Sequence, residues 1–87
     1  MSSAARALVR NLIAAPLGLD EALIADERRL DAIGVDLVDL VILVLKLESS
    51  RPGHGDFPLA RLDSVSTVGE LVELVDAWLG RAVRRPR

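Results

Sequence analysis

The sequence has no cysteine and no tyrosine, and its 87 residues hold a single phenylalanine, a single tryptophan and a single histidine. Without cysteine there are no disulfides, thiolate metal centres, iron–sulfur clusters or cysteine nucleophiles. With aromatics at 2% and no alternation of β-branched residues, an all-β sandwich is not expected. Long hydrophobic runs are missing too. The longest, Leu40 to Leu45, falls far short of the ~18–20 residues needed to span a bilayer. Met1 to Arg6 carry no extended apolar stretch of the signal-peptide kind, so a soluble, cytoplasmic protein is the expectation.

What is present is aliphatic. Hydrophobic residues make up 51% of the chain, nearly all Leu, Ala, Val and Ile, which excludes disorder. One domain of this length buries only about 60% of its unfolded surface, so its core must come from closely packed helices. Charge is divided by segment. Residues 17–80 hold all 13 acids but only five bases, whereas Arg81, Arg84, Arg85 and Arg87 make residues 81–87 basic. An acidic body repels phosphate backbones, so nucleic acid is not an expected partner.

The spacing of Leu8, Leu12 and Ala15, beside Val9 and Ile13, predicts a first helix from a Ser2 or Ser3 cap to about Ala15, with Pro16 ending it. A long connection, Leu17 to Gly34, follows. Its Leu19, Leu23, Ile24, Leu30 and Ile33 are spaced to pin it on a core, and a helical turn is expected after Asp20. Asp36, with Asp39 three residues on, reads as the cap of a second helix running to about Glu48. From Leu37 to Leu47 only Asp39 and Lys46 are polar, so this helix is apolar almost all round. Ser49 to Asp56 reads as a turn, Leu59, Leu62 and Val65 as a short helix, and Thr67 with Glu70 as a capping box. Val68, Leu71, Val72, Val75, Trp78 and Leu79 form the stripe of a last helix that Gly80 should stop. The expected fold is all-α: a small four-helix bundle over residues 1–80, with three main helices, one short helix and a basic tail at 81–87.

That order resembles the acyl carrier proteins over about residues 5–79. Leu17-Gly18-Leu19 is similar to the family's Leu-Gly-Val at the end of its first helix, and Leu30 falls at its loop anchor. Ile33-Gly34-Val35-Asp36 resembles the Leu-Gly-x-Asp before the modified serine. Asp39, Val41, Leu43, Val44, Leu47 and Glu48 follow its second helix. Phe57-Pro58 and Ser66-Thr67-Val68 stand where the family has Ile-Pro and Thr-Thr-Val.

The departures are equally specific. In carriers a serine follows that Asp and takes 4′-phosphopantetheine; here Leu37 does. A phosphodiester needs an oxygen nucleophile, and an isobutyl group has none. No cofactor is therefore expected, save 4′-phosphopantetheine if an atypical site is used. Ile42 falls where carriers usually place a Glu for basic partner enzymes, Lys46 where a small apolar residue is common, and the loop between Glu48 and Phe57 is about two residues longer. By that layout Leu37, Leu40, Ile42 and Leu45 are at least partly exposed and form a partner-binding face, unless the helix tilts and buries them.

Other constellations are weaker. Ser49, Ser50, His54 and Asp56 suggest a triad, but all lie in one flexible loop, and a solvated His54 is expected. Asp20, Glu21, Asp26 and Glu27 are acidic without a calcium-loop pattern, Trp78 reads as core, and the lone Gly34 makes no phosphate cradle. No catalytic or metal site is expected. The resemblance implies a non-enzymatic protein of fatty-acid or polyketide metabolism that contacts enzymes or carrier proteins. The alternatives are a working carrier with an unusual attachment site and a self-associating module, such as a homodimer, outside acyl metabolism.

Overall fold

A computed structural model of the chain describes the backbone of residues 3–83 and the side chains of residues 4–80. Three α-helices, α1 (Ser3–Leu17), α2 (Leu37–Ser50) and α3 (Val68–Val83), are joined by three 3₁₀ segments, Glu21–Leu23, Asp31–Ile33 and Leu59–Ser64. Helix α1 packs mainly on α3, and the Leu59–Ser64 segment packs on α2. Among the described residues there is no strand, and the chain forms the small helical bundle expected. The basic residues of 81–87 and the cap proposed at Ser2 or Ser3 lie outside the described side chains.

Two helix ends differ from the sequence expectation. Pro16 sits inside the last turn of α1, where its missing N–H forfeits a single bond. The helix closes instead at Gly18, which is left-handed at φ 68°. Gly18 N–H donates to Ala15 O at 3.3 Å and Leu19 N–H to Ala14 O at 3.0 Å, the two bonds of a Schellman stop. Helix α3 passes through Gly80 and runs to Val83. A helical glycine costs up to about 1 kcal/mol against alanine, a penalty that does not by itself end a helix.

The buried stripe of α1 is Ala5, Val9 and Ile13 with Ala14, flanked by the half-buried Leu8 and Leu12; Ala15 faces solvent. It meets Val68, Leu71, Val72, Val75 and Trp78 of α3 and Leu40, Leu43, Val44 and Leu47 of α2 in one core. The long connection is fastened by side chains and by its backbone. Ile24 and Leu30 are buried and Ile33 packs half-buried on the core, whereas Leu19 and Leu23 are exposed. Leu30 N–H donates to Ser66 O at 2.9 Å, Val68 N–H to Arg28 O at 3.0 Å and Gly69 N–H to Asp26 O at 2.8 Å. Gly69 allows that approach, because a Cβ there would stand 3.2 Å from the Asp26 carbonyl oxygen. The connection is thereby locked to the start of α3, which fixes the approach to α2.

Candidate functional site

The start of α2 is built by two carboxylates. Asp36, extended at φ −106°, accepts from Asp39 N–H at 2.9 Å, and Asp39 accepts in return from Asp36 N–H at 3.1 Å. This capping box satisfies two of the free N–H groups and places negative charge at the positive end of the helix dipole. It also fixes Leu37 and Val38 in the first turn, where they are 50% and 65% exposed.

Further along α2, Ile42 and Leu45 are 46% and 55% exposed, and Val41 is half-buried. At about 100° per residue, Leu37, Val41, Leu45, Val38 and Ile42 follow one another around an arc of about 140°. Glu48 falls within that arc but turns its carboxylate onto Phe57 N–H at 2.8 Å, and Ser49 falls within it at the end of the helix. Leu40 does not belong to it. It is 4% exposed and packs in the core with Leu43, Val44 and Leu47, because positions 40, 43, 44 and 47 share the opposite, inward face. Val38, the most exposed large aliphatic residue described, belongs to the face in its place. Its spacings of three, four and seven residues to Val41, Ile42 and Leu45 are the signal in the sequence.

Two depressions flank this face. A cavity of about 110 Å³ lies between the end of α1 and α2, with Leu12, Pro16, Leu17 and Ile42 among its walls and Asp39 and Lys46 at its edge. A hollow of about 250 Å³ lies beside the start of α2, where Leu37 and Leu40 face Leu62, Val65 and Ser66. Asp31, Asp36 and Asp63 also line it, and Arg29 is paired with Asp31 at 3.0 Å. Ser66 is the one hydroxyl-bearing residue among those lining the hollow.

The other candidates resolve into structural roles. His54 is not a solvated loop residue: it is half-buried, its ring lies 4.5 Å from that of Trp78, and Phe57 packs on the indole at 5.4 Å. The acidic cluster is dispersed. Asp20 caps the Glu21–Leu23 turn and Glu21 accepts from Asn11 at 3.0 Å. Asp26 accepts from Arg6 at 2.8 Å and from Arg10 at 3.2 Å. These guanidiniums, Arg6 foremost, hold the Asp26 carboxyl below the usual carboxylate range. Glu70 is likewise held low by the Ser66 and Thr67 N–H groups it accepts from, and Thr67 closes the box by accepting from Glu70 N–H. Among the described residues no group of acidic or histidine side chains is placed to hold a metal ion.

The profile of the family described as "Phosphopantetheine attachment site" matches residues 7–75, most of the chain and all the elements that frame α2. This chain belongs to that family, the acyl-carrier domains. No curated protein sequence matches it. For a carrier domain the decisive chemistry lies at the start of α2, where the phosphoryl group of phosphopantetheine must be esterified to a side-chain oxygen. The first turn here, Leu37-Val38-Asp39-Leu40, offers two leucines, a valine and a carboxylate engaged in the capping box, and no hydroxyl. The residues at that turn do not fit the group. Among the described residues no helix is long and apolar enough to cross a membrane.

Proposed function

We propose that this domain no longer takes phosphopantetheine and works by protein contact through the outer face of α2, in cytoplasmic acyl metabolism of the fatty-acid or polyketide type. The observation that carries this reading is Leu37, the first residue of α2, directly after its Asp36 cap. A carrier without an arm has no thioester to present, which leaves recognition as its task.

The half-exposed Leu37, Val38, Ile42 and Leu45 support a contact role. Burying one such leucine is worth roughly 1.5–3 kcal/mol relative to full exposure, so several together supply a substantial driving force. Enzymes or carrier proteins of acyl metabolism are the proposed partners, and the acidic body argues against nucleic acid. No catalytic role is proposed for the chain.

A working carrier is the second reading, and Ser66 is the observation that favours it, since its hydroxyl-bearing side chain lines the same hollow as Leu37. Three aspartates line that hollow as well and oppose an incoming phosphate. The experiment is incubation of the native chain with coenzyme A and a broad phosphopantetheinyl transferase, followed by intact-mass analysis, with Ser66→Ala alongside. An unchanged mass is expected for both. A one-arm increase in the native chain overturns the proposal, and its disappearance in Ser66→Ala assigns the arm to that serine.

A further inference from the structure

The outer face of α2 is complementary to itself. Its central residues are Val38 and Leu45, seven positions apart on one line of the helix, with Val41 and Ile42 between them. Lys46 and Asp39, also seven apart, border the same side of this face. A two-fold axis crossing the helix between Val41 and Ile42 sets Val38 of one copy against Leu45 of the other, and Val41 against Ile42. The same operation keeps like edges together while reversing direction. Lys46 of each copy then comes level with the other copy's Leu37, within about 3 Å along the axis of Asp39, which shares its edge, at 1.5 Å per residue. Each lysine thus meets the other copy's Asp39.

Resting on the reading of α2 as a contact face, we propose that its occupant is a second copy of this chain, paired antiparallel through Val38, Val41, Ile42 and Leu45. Antiparallel pairing also sets the dipoles of the two helices in opposition. A parallel arrangement instead places each Lys46 level with its own counterpart and leaves the carboxylates at the other end, so the charges select direction. Glu48 does not intrude, because its carboxylate is held by Phe57 N–H. The cavity beside Ile42, with Leu17 on its far wall, lies along the Asp39–Lys46 edge and extends the apolar surface available to the second copy.

Sedimentation equilibrium of the full chain through the micromolar range tests the pairing, and the absence of native cysteine gives a direct probe of its direction. The native chain is expected to approach twice the monomer mass. Leu45→Asp should sediment as a monomer while keeping its helical circular dichroism, since residue 45 is more than half exposed. Under mild oxidation, Val38→Cys mixed with Leu45→Cys should yield a mixed disulfide. Val38→Cys alone should not cross-link, because its two copies would be about 10 Å apart along the axis. A native chain that stays monomeric overturns the proposal, as does a dimer untouched by Leu45→Asp. Cross-linking of Val38→Cys to itself overturns the antiparallel direction. None of these outcomes bears on whether the native chain accepts a phosphopantetheine arm, which mass analysis reads separately.

Discussion

Asp36 and Asp39 bind each other's backbone N–H groups across the first turn of α2, at 2.9 and 3.1 Å. The side chains between them, Leu37 and Val38, do no work in forming that turn and project outward. The turn is therefore built without residue 37, whose isobutyl side chain carries no oxygen nucleophile. Changing residue 37 alters the chemistry of the site without disturbing what holds it.

Leu37→Ser follows from this directly. Because the position is half exposed and outside the capping bonds, stability should change by less than about 1 kcal/mol. The hydroxyl then stands first in a capped helix, immediately after Asp36. With coenzyme A and a phosphopantetheinyl transferase, the variant should gain the mass of one arm. A Leu37→Ser chain that folds and stays unloaded would show that more than the serine has been lost.

Stability should fall in acid, and Asp26 should account for part of the fall. Its folded carboxyl titrates below the unfolded value of about 3.9, owing first to Arg6 and then to Arg10. The stabilisation is therefore fully present above that unfolded value and is lost as pH falls through the depressed folded value. Asp26→Asn should be less stable than the native chain at neutral pH, with the two converging as pH drops below about 4. Urea unfolding at a series of pH values reads the difference, and a constant gap down to strongly acid pH would contradict the assignment.

The His54 ring lies 4.5 Å from that of Trp78, tilted by 57°, so it shields the chain's single indole. His54→Ala should shift Trp78 emission to longer wavelength and cost about 1 kcal/mol, on the scale of an aromatic pair. An unshifted spectrum would mean that the 50–56 loop does not hold the ring there in solution.

What the sequence makes legible is what depends on near neighbours. Both capping boxes, Asp36 with Asp39 and Thr67 with Glu70, span three residues and formed where the spacing placed them. The helix ends at Pro16 and Gly80 were less legible. Proline and glycine impose modest penalties, and packing together with the Schellman bonds at Gly18 decides where such a helix stops. The locking of the long connection to α3 was invisible, because Arg28, Leu30 and Asp26 use backbone groups there and leave no mark in side-chain pattern. His54 is hard to read from sequence for a related reason: glycines on both sides suggest a free loop, while a tertiary contact with Trp78, 24 residues away, holds the ring.

On α2 itself the apolar surplus is plain in the sequence, and it divides between an inward and an outward face. Leu37, Ile42 and Leu45 face outward as expected from the family layout. Leu40 turns inward because its three- and four-residue neighbours Leu43, Val44 and Leu47 form the core line. Val38 joins the outer face through its seven-residue relation to Leu45. The helical period carries this assignment, and the family layout alone misses it.

The most direct test is the intact mass of the native polypeptide purified from the cells that make it, where its own transferases have had every opportunity to act. The account predicts a chain bearing no phosphopantetheine. A species heavier by one arm, with fragmentation locating that arm on any serine or threonine, would contradict it.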